Sequence, residues 1–92
     1  MKKLEIIEIQ SVATSRAVLE AHMLELFEQV RNDQDEIDVT IFKNGLIDTN
    51  YSIHLLQECE SVVLNKSSTG KQLAAALKEH GIVSHSIWIQ RC

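Results

Sequence analysis

The period of the hydrophobic residues changes several times along this chain, and the order of those changes restricts the fold more than any other feature. Between Leu4 and Val12 the β-branched Ile6, Ile7 and Ile9 are interrupted by Glu5, Glu8 and Gln10, a period near two that suits a pleated strand. Leu19, Met23, Leu26, Phe27 and Val30 then recur at three- and four-residue steps, which makes one apolar stripe along a helix. The period returns to two at Ile37, Val39 and Ile41, and again at Tyr51, Ile53 and Leu55. Helical steps reappear at Leu73, Ala76 and Leu77, and the chain finishes with Val83, His85, Ile87 and Ile89 on one side of a strand. The predicted order is strand, helix, strand, strand, helix, strand.

The punctuation between these stretches agrees with that order. Thr14 and Ser15 are candidate caps for the first helix, since their hydroxyls can accept from the unpaired amides of a first turn. Asn32-Asp33-Gln34-Asp35 is turn chemistry and predicts an end near Arg31. Asn44-Gly45 and Asp48-Thr49-Asn50 bracket a loop that carries Leu46 and Ile47 at its tip, with a tight Asn-Gly hairpin as the alternative. Thr69 and Gln72 have capping-box spacing. Gly81 is expected to end the second helix in a left-handed conformation, with Ile82 folding back on Leu77. Between residues 58 and 68 the pattern is ambiguous: Ser61-Val62-Val63-Leu64 either prolongs a strand or tucks beneath the sheet.

With 92 residues, the chain fits a single domain, 1–92. The element order is βαββαβ, a ferredoxin-like α+β fold with a four-stranded antiparallel sheet, order 4-1-3-2, and two helices on one face. The other face must then be polar, or be covered by something the domain lacks. With Tyr51, Ile53 and Leu55 under the helices, it carries Thr40, Phe42, Ser52, His54, Leu56, Ser84, Ser86 and Trp88. Either Leu4 and Ile6 or Ile7 and Ile9 join them, because the alternation slips at Ile6-Ile7. A bulge or a central strand covered on both sides explains the slip. Burial of such a set is worth roughly 25 cal/mol per Å², so a second copy packed sheet to sheet is expected.

Charge narrows the function classes. Thirteen acidic residues against nine basic ones give −4, the wrong sign for nucleic acid or an anionic membrane surface. The aromatics are one Trp, one Tyr and two Phe, none within a basic stretch, so no base-stacking platform is expected. No apolar run approaches the roughly 18 residues of a membrane helix, and Glu5 and Glu8 interrupt any secretion signal. Cys59 and Cys92 match neither zinc nor redox-dithiol spacing, and a reduced, cytoplasmic protein is expected, with a disulfide left open. Cys59 lies between Glu58 and Glu60, whose charge disfavours a thiolate and makes it a poor nucleophile.

The rhythm of Ile37 to Leu55, strand, turn-rich loop and strand, together with the terminal Ser86-Ile87-Trp88-Ile89, resembles the dimeric α+β barrel superfamily. Its members include antibiotic-biosynthesis-monooxygenase-like and stress-responsive barrel proteins. The chain lacks the Pro-Gly turn many members carry before the second strand and the aromatic, acid-rich signature often found in the third. The resemblance implies two facing sheets around a pocket for a small, often aromatic, ligand.

In such a pocket Phe42 and Trp88 are the expected apolar walls, and Ser52, His54 and Ser86 the polar anchors. His54 is the best single catalytic candidate, as acid or base near neutral pH; the plainer reading is a histidine satisfied by a partner chain or water. His85 is expected as a core or rim histidine with one local hydrogen bond. It points away from His54, so no converging metal ligands, and no cofactor, are expected. His80 is expected to favour the carbonyl end of its helix. Glu5, Glu8, Glu25 and Glu28 are expected on solvated faces. Asn65 to Gln72 is close to a phosphate loop but lacks the leading Gly and the Ser or Thr after Lys71. Ordinary capping is expected at Ser68, Thr69 and Gly70, although a helix amino end of that kind can also hold an anion.

Three functions fit: a homodimeric ligand-binding or interaction module, a cofactor-independent monooxygenase or isomerase acting on a small aromatic substrate, and a purely structural subunit.

Overall fold

The computed structural model describes residues 1–12, 16–33, 37–58 and 67–91. Strand β1 spans Lys2–Ser11, helix α1 Arg16–Asp33, β2 Ile37–Lys43, β3 Asn50–Glu58, α2 Ser68–Leu77 and β4 Gly81–Ile89, with a 3-10 turn at Lys78–His80. The four strands form one antiparallel sheet in the order β2-β3-β1-β4. Read from the other edge this is 4-1-3-2, the expected ferredoxin-like arrangement.

Strand β1 is central, and its register against both neighbours is unbroken from Lys3 to Gln10. The slip at Ile6-Ile7 is therefore not a bulge. Ile7 and Ile9 are fully buried on the helix-covered side, while Leu4 and Ile6 are half-buried on the other. A strand with apolar residues on both faces expects cover on both faces.

The core joins Ile7 and Ile9 with Tyr51, Ile53 and Leu55 from the sheet, Leu19, Met23 and Val30 from α1, and Leu73, Ala74 and Leu77 from α2. These are the stripes read from the sequence. Helix α1 continues to Asp33, two residues beyond the expected end at Arg31, whose guanidinium lies 5.7 Å from the centre of the Phe27 ring. The loop after β2 is the longer of the two alternatives. Asn44 Oδ1 accepts from the amides of Leu46 and Ile47 at 2.8 and 2.9 Å, an Asx turn that leaves Leu46 almost wholly exposed.

Several local expectations are corrected. The cap of α2 is Ser67, whose hydroxyl accepts from Gly70 N at 2.9 Å, and not Thr69. Gly81 is extended, with φ 162° and ψ −158°. Its need for glycine is a close approach: a Cβ would meet the Gln10 carbonyl oxygen and lie 3.0 Å from Ser11 Cα. Ile82 is exposed on the open face and does not fold back on Leu77. Glu5 is not solvated but 1% exposed. The expectations for Thr14, Ser15, Cys59, Cys92 and Ser61 to Leu64 lie outside the described residues.

Among the described residues no helix is long and apolar enough to cross a membrane.

Candidate functional site

The pleat sends alternate side chains of each strand to the face away from the helices. Register fixes their neighbours in transverse rows: Asp38, Leu56, Leu4 and Trp88 form one, and Thr40, His54, Ile6 and Ser86 the next. A third row holds Phe42, Ser52, Glu8 and Ser84. The apolar members Leu4, Ile6, Leu56 and Trp88 are contiguous across β3, β1 and β4, and Phe42 caps the edge strand. Phe42 is 49% and Trp88 59% exposed.

The five expected site residues all lie on this face, in two groups. On β2 and β3, the Phe42 and His54 rings tilt against each other with centroids 4.6 Å apart, and Ser52 Oγ lies 3.3 Å from His54 Nε2. On β4, the Trp88 indole N–H donates to Ser86 Oγ at 3.0 Å. The rows of β1 separate the groups: His54 and Trp88 lie two strand spacings and one row apart, about 12 Å, and do not form one constellation within a single chain.

His54 is half-buried, with a hydroxyl on one side and an aromatic ring on the other. That suits an imidazole giving or taking a proton, or holding a polar atom of a flat ligand. Among the described residues no carboxylate hydrogen-bonds it, so it lacks the third group that orients a catalytic base. Beside Trp88, Leu4 and Leu56 line a hollow of about 260 Å³ with Lys2, Ile89 and Gln90. Sites for small molecules usually measure roughly 300–1,000 Å³ and are enclosed. On this face the chain therefore offers the wall of a pocket rather than a whole one.

Two clusters escaped the sequence reading. Glu5 points under the helices from the central strand, where its Oε1 accepts from Ser67 N at 2.9 Å and meets His85 Nε2 at 3.0 Å. The start of α2, where capping was expected and anion binding left open, thus takes the carboxyl group of the chain's own Glu5 through the Ser67 amide. The strict alternation from Ile9 back through Ile7 was the available signal, since it places Glu5 with the core. In the second cluster, His22 of α1 and His80 of the 3-10 turn lie 2.8 Å apart, nitrogen to nitrogen. No local pattern joins residues that far apart in sequence.

Solved structures with the same architecture include Rv0793 from Mycobacterium tuberculosis, with a TM-score of 0.74 and 11% identity over 100% of this chain and 97% of that one. Another is a candidate antibiotic biosynthesis monooxygenase from Bordetella bronchiseptica, with a TM-score of 0.69 and 12% identity over 99% and 98% of the two chains. No family model and no curated protein sequence matches the chain. The resemblance read from the sequence is borne out at the level of the fold: the chain has the ferredoxin-like α+β architecture of these two structures.

Proposed function

We propose that this protein is a small homodimeric ligand-binding or interaction module, in which two copies place their open sheet faces together around a pocket for a small apolar or aromatic ligand. The observation that carries the reading is the contiguous apolar set Leu4, Ile6, Leu56 and Trp88 on the face that no helix covers. Facing sheets would bring the half-pocket beside Trp88 against a second wall and enclose His54, Ser52 and Ser86 as its few polar groups. The net charge of −4 favours neutral ligands over phosphorylated ones, and we place the protein in the cytoplasm.

A panel of small neutral aromatics, screened by ligand-observed NMR against the wild type and His54→Ala, tests the reading. Binding weakened by the substitution supports the pocket, whereas no binding by any member, or binding unchanged in His54→Ala, contradicts it.

The enzyme reading, a cofactor-independent monooxygenase or isomerase, draws on the name of the Bordetella protein and on the imidazole beside the Phe42 ring. Turnover lost in His54→Ala with affinity kept would favour it over simple binding. An interface filled by side chains, with no cavity, would favour the structural subunit.

A further inference from the structure

On the opposite side of the molecule from the open face, α1 and the 3-10 turn after α2 bring three metal-ligating side chains together. His22 Nδ1 and His80 Nε2 lie 2.8 Å apart, and Glu79 Oε1 is 3.6 Å from the first and 3.3 Å from the second. The three donor atoms form a triangle. Zinc held tetrahedrally at roughly 2.0–2.1 Å from its ligands has ligand-to-ligand edges of about 3.3 Å. Two edges of the triangle are within a few tenths of an ångström of that value, and the third reaches it if the imidazoles part by about half an ångström.

From this geometry we infer that His22, Glu79 and His80 form a binding site for a divalent transition-metal ion of zinc type. Imidazole nitrogens and one carboxylate suit zinc, and also nickel and copper, better than the hard cations calcium and magnesium. The side chain of His80 is only 7% exposed and that of His22 27%, so both rings are held in place, while Glu79 is 68% exposed and can close from solvent. The three border a depression of about 540 Å³ that Glu25 also lines. That opening gives the ion an entry path and admits water to the fourth position. A cation at the centre of the triangle would touch all three donor atoms at once. Such an ion would clamp the C-terminal end of α2 to α1, and it stands apart from the sheet-face reading.

The test is zinc titration of the full, untagged chain against a chromophoric chelator at neutral pH, with cobalt(II) as a spectroscopic substitute. One equivalent is expected to bind. Glu79→Gln, on an exposed side chain that leaves folding intact, and His22→Gln are each expected to weaken binding on the order of tenfold or more. His54→Ala should bind as the wild type does, and the cobalt spectrum should be that of a nitrogen and oxygen site without a thiolate charge-transfer band. Zinc should also raise the melting temperature of the wild type by more than that of His22→Gln. No stoichiometric binding, binding unchanged in both variants, or a thiolate band that assigns the ion to Cys59 or Cys92 would each overturn the inference.

Discussion

Glu5 and His85, side by side on the central and edge strands, form a buried acid–imidazole pair: Oε1 lies 3.0 Å from Nε2, and neither side chain is more than 6% exposed. The same oxygen receives Ser67 N at the start of α2, while Oε2 has no hydrogen-bond partner among the described residues. A carboxylate in that position is costly to bury and costlier to leave alone. Removing only His85, as His85→Ala, is therefore expected to destabilise the fold by about 3 kcal/mol or more. Replacing both groups, Glu5→Leu with His85→Leu, should cost clearly less than the sum of the single replacements. Urea denaturation of the wild type, Glu5→Leu, His85→Leu and the double variant measures the coupling, and additive losses would show that the two groups act independently.

Gly70 completes the cluster, because a Cβ there would collide with Glu5 Oε1 and lie 2.9 and 3.0 Å from His85 Cε1 and Nε2. Gly70→Ala gains about 1 kcal/mol of helix propensity. Overpacking typically costs 1–3 kcal/mol, and the Glu5 oxygen is tied to two donors and has little freedom to move. A net loss of about 1 kcal/mol is expected. At Gly45, where a Cβ meets nothing within 4 Å, the same exchange should change stability by less than about 0.5 kcal/mol. Equal melting temperatures for the two variants would refute the steric account.

Tyr51 should show itself in alkali. Burial, and then its hydrogen bond to Glu20, push the phenol up from 10.0 to about 12. The folded state thus keeps a proton that the unfolded chain has already released, so the stabilisation is complete below about pH 10 and fades as pH rises through about 12. The chain has a single tyrosine, which makes tyrosinate absorbance a clean readout. Tyr51→Phe should remove that part of the alkaline loss of stability. A phenol that titrates near 10 in the folded protein would contradict the assignment.

Trp88, the only tryptophan, reports on the open face. It is 59% exposed in one protomer, and pairing of the sheets would bury it. Emission should be blue-shifted at high protein concentration and move to the red on dilution. Leu56→Lys, which places a charge in the middle of the apolar row, should give the red-shifted spectrum at every concentration while circular dichroism stays unchanged. A spectrum that does not respond to dilution or to Leu56→Lys would count against burial by a second copy.

The sequence revealed the order of elements because each change of hydrophobic period is local, as at Leu19 to Val30 and at Tyr51 to Leu55. It also placed Phe42, Ser52, His54, Ser86 and Trp88 on one face, since a strand's parity carries a residue's side across the whole sheet. The strand order it predicted, 4-1-3-2, already put β1 between His54 and Trp88, so the two expected walls and anchors could have been read as two groups rather than one. Glu5 was misread for another reason. A charged residue in a strand is normally solvated, and only the arrival of Ser67 and His85 from distant positions makes its burial tolerable. His22 and His80 meet through helix packing, and nothing local to either residue announces the contact.

Sedimentation equilibrium at micromolar protein tests the central claim most directly. The account predicts a particle of twice the 10.4 kDa chain mass for the wild type and of the single chain for Leu56→Lys. A wild-type particle of 10.4 kDa across that range would contradict it.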